Sequence, residues 1–139
     1  MKEPLLEPLL RRLRIRRILP VISKYPNCEL LDVGCGWEVK LLREVSPYIK
    51  RGTGIDFKAP VLRDDNITTI SQRFSESLPF AARTFDVVTL CAVLEHLEHP
   101  KRILEEIRRV LKPGGVLVGT VPSKASQPVL EFLSFRLGS

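Results

Sequence analysis

The sequence predicts an α/β protein built on a doubly wound, mostly parallel sheet of five strands that is C-terminally incomplete. Three observations carry this reading. Apolar runs of strand length alternate with helical patterns, as they do where helices cover both faces of a parallel sheet. The first apolar run, Leu30-Leu31-Asp32-Val33, breaks at Gly34-Cys35-Gly36, just where a helix can begin. The second, Gly52-Thr53-Gly54-Ile55-Asp56, closes on a carboxylate. That carboxylate lies about 20 residues beyond the glycine turn, the separation at which a dinucleotide-type fold holds ribose hydroxyls.

The elements follow in order. Residues 1–26 read as an N-terminal helical region. Leu6, Leu9, Leu10 and Leu13 form one helical stripe, and Ile15, Ile18, Leu19 and Ile22 form another. At about 100° per residue the two stripes fall on opposite faces, which predicts a kink or two short packed pieces. Strands are expected at Glu29–Val33, Thr53–Asp56, Ile67–Ser71, Phe85–Cys91 and Gly115–Val121. Between the last two, Pro100 can open a helix at its first position, and Ile103, Leu104, Ile107, Val110 and Leu111 recur at helical spacing. Lys112-Pro113-Gly114-Gly115 then ends it. Gln127 to Leu137 is apolar enough for a further helix.

With 139 residues, 44% of them hydrophobic, the chain suits a single domain, 1–139, with a core of its own. Cys28, Cys35 and Cys91 are odd in number and lack CxxC spacing, so they read as reduced thiols of a cytoplasmic protein and not as a disulfide frame or metal site. No stretch approaches the roughly 20 apolar residues of a membrane span. Arg11, Arg12, Arg14, Arg16 and Arg17 interrupt any signal-peptide apolar region and carry much of the net charge of +6. Such a cluster suits phosphates, an anionic membrane surface or plain solvent. Aromatic residues at 6%, without basic residues interleaved, argue against nucleic acid as a partner.

Singly these signals are weak, but their order is specific. Leu31-Asp32-Val33-Gly34-Cys35-Gly36 is followed by Gly54-Ile55-Asp56, then by Leu78-Pro79-Phe80 before Phe85-Asp86-Val87-Val88. Next come Leu94-Glu95-His96-Leu97 and Leu111-Lys112-Pro113-Gly114-Gly115. Across roughly residues 28 to 122 this series resembles the class I S-adenosylmethionine-dependent methyltransferases of the type 11 kind. The resemblance implies a Rossmann-like methyltransferase fold, S-adenosylmethionine as cofactor and a small-molecule substrate. It divides the chain into the helical region, a cofactor-binding core at 27–122, and the start of a substrate-side segment at 123–139. In the family the sheet continues past its fifth strand to an antiparallel pair, and this chain stops before it. If the strand order is the family's, Gly115–Val121 becomes an uncharged edge, so a homodimer is expected through that edge or the terminal helices.

By the same resemblance Asp32, Gly34, Cys35 and Gly36 belong to the turn that wraps the methionine part of the cofactor, and Asp56 takes both ribose hydroxyls. A carboxylate accepting two hydroxyls makes charge-assisted bonds that orient the sugar; as a helix cap it would do none of this. Phe57, Phe74 and Ser75 complete the expected cofactor contacts, with Phe74 either against adenine or in the core. Two positions depart from the family pattern. Glu38 stands where a third glycine is usual, and Phe74 where an acidic residue usually meets the adenine amino group. Trp37 beside the turn either covers the cofactor or packs. Glu95 and His96 follow the fourth predicted strand and are the candidate catalytic residues, with His96 contacting substrate or acting as base; a structural histidine is the plainer alternative. His99, before Pro100, reads as a cap residue.

Two other classes are weighed. A noncatalytic or degenerate cofactor-binding module of the same fold is suggested by Glu38, Phe74 and the missing strands. A nicotinamide-dependent oxidoreductase would need glycine where Val39 stands, and no Gly-Lys-Ser/Thr follows the turn as a phosphate loop requires.

Overall fold

A computed structural model of the chain describes residues 6–91, 97–121 and 131–136. Helix α1 spans Leu6–Ile22, followed by strand β1 (Glu29–Val33), helix α2 (Lys40–Val45), a 3-10 turn at Ser46–Tyr48 and strand β2 (Arg51–Asp56). The short β3 (Arg63–Asp64), β4 (Ile67–Ser71), β5 (Phe85–Cys91), helix α3 (Pro100–Val110), β6 (Leu111–Val121) and β7 (Glu131–Arg136) complete the order. One sheet of seven strands results, ordered β3-β4-β2-β1-β5-β6-β7. The five inner strands are the five predicted from sequence, and they pair in parallel. Each outer strand pairs antiparallel with its neighbour.

Alternation along the inner strands builds a core on each face. Leu30 of β1, Val87 of β5, and Val116 and Val118 of β6 join Ile18 and Ile22 of α1 and Leu42 and Val45 of α2. Leu31, Val33, Val88, Leu90 and Leu117 point the other way and pack with Ile103, Ile107 and Val110 of α3. Burial on both faces is why β1 reads as a nearly continuous apolar run rather than an alternating one. The chain leaves β1 toward β2 and β4 on one side and places β5 on the other, so the order reverses at β1. Open α/β sheets bind ligands in the crevice beyond the carboxyl ends of the strands at such a reversal.

Two local expectations are overturned. The N-terminal region is one continuous helix, with Pro20 in its last turn. Little helix lies beyond the proline, so its missing N–H and its clash with the preceding turn cost few hydrogen bonds. Of the second stripe, Ile18 and Ile22 are buried, whereas Leu13, the member of the first stripe whose side chain is described, is 39% exposed. The helix expected over Gln127 to Leu137 is instead a strand at Glu131–Arg136, registered from Val116↔Arg136 to Val121↔Glu131. The unpaired peptide groups of β6 are a stronger demand than the helical spacing of a short apolar segment, and Phe132 and Phe135 suit a strand equally well. Of the two routes to the expected homodimer, that edge or the terminal helices, the first is closed by β7 within the chain. The far edge, β3, is two exposed charged residues long, too short to recruit another chain. Among the described residues no helix is long and apolar enough to cross a membrane.

The amino end of the sheet is tied by side chains. Asp86 Oδ2 accepts from the Glu29 N–H at 2.9 Å and from Lys112 Nζ at 3.4 Å. Tyr25 Oη donates to the Gly114 carbonyl at 2.7 Å, fastening the segment after α1 to the first half of β6. Asn66 bridges the Ser46 and Ile49 carbonyls before β4.

Gly54, in the middle of β2, lies against the turn that follows β1. A Cβ there would stand 2.8 Å from Cys35 Sγ and 2.9 Å from both Cys35 Cβ and Leu42 Cδ1. Gly54→Ala therefore lowers the chemical denaturation free energy by about 1–3 kcal/mol. Gly52→Ala, whose Cβ meets only the methyl ends of Leu42 and Ile49 at 2.9 and 3.0 Å, costs less. Equal losses in the two variants would show that the Cys35 turn yields as easily as a side-chain methyl.

Candidate functional site

The chain turns sharply after β1. Gly34 and Gly36 take φ of 83° and 75°, a region glycine enters without steric cost. The turn is anchored to β2: Gly34 N and Cys35 N both donate to the Ile55 carbonyl, at 2.8 and 3.2 Å. Gly36 N donates to Asp56 Oδ2 at 2.9 Å, and Lys58 N to Asp56 Oδ1 at 2.9 Å. A Cβ added to Gly36 would meet nothing within 4 Å, so this glycine is needed for its backbone angle, and its outer face is open. Val39 then adopts φ 55° at the start of α2, an outlier for a β-branched residue. Such a conformation costs of order 1–3 kcal/mol and persists where its surroundings over-determine it. Here the Val39 side chain is fully buried among α1 and α2.

Asp32 sits below the turn, buried, with Thr89 beside it in register on β5. Thr89 Oγ1 donates to Asp32 Oδ1 at 2.7 Å. Burial pushes the Asp32 carboxyl up to about 7; the Thr89 hydroxyl and the positive charge of Arg14 oppose the rise, and Asp56 adds to it. Burial likewise pushes the Cys35 thiol up to about 12, with Asp32 and Asp56 adding. Cys35 is therefore a neutral filler and no nucleophile.

Two cavities open on either side of the turn. One, of about 360 Å³, is lined by Asp32, Cys35, Gly36, Trp37, Glu38 and Arg14 among others. The second, of about 540 Å³, is lined by Asp56, Phe57, Phe74, Ser75, Leu97 and Glu98, with Arg73. Gly34 lines both. The structure thus brings together every predicted cofactor residue, while Glu95 and His96 lie outside the described residues.

The departures from the family pattern are accommodated. Glu38 Oε1 lies 3.1 Å from Lys40 Nζ, so its charge is offset at the surface. Phe74 is half-buried against the α3-side core, the second of its two expected placements, and its ring also lines the second cavity. Trp37 is 67% exposed and covers the first cavity instead of packing inward. The segment carrying Phe74 and Ser75 is fixed downstream, where Leu78 N donates to Glu106 Oε1 at 2.9 Å and the Arg109 guanidinium donates to the Leu78 carbonyl at 3.1 Å. Hydrogen bonding to Arg109 holds the Glu106 carboxyl below the usual range. His99 occupies the position before α3 without a side-chain cap; its Nε2 lies 3.5 Å from Glu76 Oε2.

Sequence reasoning missed three lining or supporting residues. Thr89 is a lone hydroxyl in an apolar strand, which was a signal. Arg14 stands four residues before Ile18 and eight before Ile22 on one helix, in line with the buried stripe. Arg73 stacks its guanidinium 4.8 Å from the Phe57 ring centre and had no sequence signal.

Residues 31–119 match the family described as the methyltransferase domain. A demethylmenaquinone methyltransferase of Lactiplantibacillus plantarum is 33% identical over 118 residues, covering 76% of this chain and 49% of the relative. The chain spans about half the length of the curated relatives it matches, 49% and 52% for two of them. Among solved structures, the [4+2]-cyclase SpnF is 28% identical with a TM-score of 0.61, over 81% of this chain and 47% of its own. An S-adenosylmethionine-dependent methyltransferase of Mesorhizobium loti, 20% identical, shares the fold with a TM-score of 0.62 over 78% of this chain and 53% of its own.

The buried Asp32 makes stability depend on pH. Its folded carboxyl, at about 7, holds a proton more tightly than the ordinary 3.8. Its stabilising contribution is complete below about pH 4 and is lost as pH rises toward 7. Asp32→Asn cannot ionise, so its stability relative to the parent increases between pH 4 and 7 and levels off above. Urea denaturation across that range measures the difference; a constant offset would mean that Asp32 is ionised throughout.

Proposed function

The chain belongs to the methyltransferase-domain family, class I in fold, and from its site we propose that it binds S-adenosylmethionine and transfers the methyl group to a small-molecule acceptor. The observation that carries this reading is the Gly34-Cys35-Gly36 turn, pinned under Asp56 and shared by two cavities of different character. An elongated ligand with a nucleoside at one end and a polar amino acid at the other fits such a pair. When bound, S-adenosylmethionine supplies a methyl group activated by its sulfonium.

The residues have separate tasks in this reading. Asp56 spends one lone pair of each oxygen on Gly36 N and Lys58 N, and a carboxylate has about four acceptor sites, so acceptor capacity remains for two ribose hydroxyls. Phe74 offers a face to adenine, Ser75 a hydroxyl, and Phe57, backed by Arg73, an outer wall. The glycines let the ligand approach bare backbone, and Trp37 limits water above the turn. Methyl transfer depends chiefly on in-line alignment in a water-poor site, so a base is needed only for acceptors of high pKa. Glu95 and His96, downstream of β5 in sequence, are our candidates for contacting the acceptor.

A small-molecule acceptor is supported by relatives named as demethylmenaquinone methyltransferases. A cytoplasmic setting is supported by two buried thiols, Cys28 and Cys35, that are unpaired. The noncatalytic alternative is weakened because neither Glu38 nor Phe74 blocks the cavities.

Asp56→Ala weakens S-adenosylhomocysteine binding by about 1.5–3 kcal/mol, the range for hydrogen bonds to a charged group. Titration calorimetry on a variant shown to be folded makes the measurement. Undiminished affinity would remove Asp56 from the ribose. A turnover assay with labelled S-adenosylmethionine and quinol-like acceptors tests the transfer itself.

A further inference from the structure

The outer face of α1 carries a charge pattern that neither the core nor the cavities use. Ile18 and Ile22 seat one side of the helix against the sheet, and Arg14 lines the first cavity. Arg12, Leu13, Arg16 and Arg17 are turned to solvent instead. Arg12 and Arg16 stand four residues apart, a spacing at which like charges on a helix repel. No Asp or Glu occurs in the sequence between Glu7 and Glu29 to offset them, and Glu38, which lines the first cavity with Arg14, is held by Lys40 at 3.1 Å. At helical spacing Leu13 is flanked by Arg12 and Arg16 on one side and by Arg17 on the other, and it leaves 39% of its surface to water. A leucine alone at a surface needs no explanation. Held among uncompensated arginines, it fits a partner whose negative charge overlies an apolar layer.

We propose that the outer face of α1 docks the protein on an anionic lipid surface, Leu13 entering the acyl boundary while Arg12, Arg16 and Arg17 take headgroup phosphates. Arginine stems lie along apolar surface and keep their charged heads in water, so the helix lies flat with its leucine below its charges. The planar guanidinium suits a phosphate, to which it offers two parallel donors. A nucleic acid would satisfy the arginines and leave Leu13 unused, which is why lipid is the better fit. Trp37, 67% exposed and lining the same cavity as Arg14, adds an indole of the kind that settles at a lipid–water boundary. This surface is separate from the cofactor reading and does not rest on it.

Sedimentation of the full chain with lipid vesicles tests the assignment. The chain binds vesicles containing phosphatidylglycerol, does not bind pure phosphatidylcholine, and is released by added salt. Each arginine at such a surface is worth about fivefold in affinity, so Arg12→Gln/Arg16→Gln loses about 30-fold. The charge-matched Lys101→Gln/Arg108→Gln, on exposed positions of α3 across the sheet, changes the affinity less than about threefold, because charges far from the surface are screened. Leu13→Gln keeps every charge; it loses about 5- to 10-fold from the phosphatidylglycerol vesicles and leaves binding to duplex DNA within about twofold. Absence of vesicle binding by the parent chain overturns the proposal. Equal losses in the α1 and α3 variants, or full affinity in Leu13→Gln, overturn it by showing adhesion through net charge alone, and DNA bound more tightly than the vesicles overturns it in favour of nucleic acid. Should the double α1 variant fail to fold, Arg16→Gln alone still decides, with an expected loss of about fivefold.

Discussion

The carboxylate of Asp56 is the constraint on which the site depends. It ends β2, and in one residue it accepts the Gly36 and Lys58 backbone N–H groups, at 2.9 Å each. Through the first bond it holds the turn after β1; through the second it directs the chain away from β2 past Phe57. The turn cannot relax without releasing a charge-assisted bond, so its glycines remain in their left-handed angles with their backbone facing the cavities. Neighbouring parallel strands supply the rest, since the Ile55 carbonyl receives Gly34 and Cys35 from the same side.

Around this anchor the protein tolerates features that a core designed only for stability would avoid. Val39 is held at a positive φ, Asp32 is buried as a group that resists ionisation, and Arg14 keeps an unsatisfied N–H. All three border the same 360 Å³ cavity. Unfavourable contacts persist where the surrounding packing over-determines them, and here the packing is Ile18, Ile22 and Leu42 against the sheet. Strained backbone and shifted titratable groups cluster at functional sites more often than elsewhere in a fold.

The second cavity is assembled differently. Its walls come from segments after β2 and after β4, whose positions are set by distant clamps. Glu106 and Arg109 on α3 grip both backbone groups of Leu78, so the helix that packs on the same core as Phe74 fixes the segment carrying Phe74 and Ser75. The Phe80 and Phe85 rings, packed edge to face with centroids 5.4 Å apart, brace the same loop against β5.

The amino-acid sequence by itself determined the five parallel strands, the glycine turn and the carboxylate at the end of β2 that lines the second cavity. Each of these is encoded locally: burial on both faces demands apolar runs, positive φ favours glycine, and the carboxylate must end its own strand. Tertiary structure decided what local pattern cannot express. Glu131–Arg136 became a strand because β6 offered unpaired peptide groups, and α1 stayed one helix because a proline in its last turn breaks little. Phe74 lines the second cavity from within the α3-side core because the two share its ring. Arg14, one arginine among five near the N-terminus, became distinct only when Ile18 and Ile22 were buried and placed it in the lining of the first cavity. A charge on a helix gains chemical meaning from what the helix packs against, and that is fixed by contacts between residues far apart in the chain.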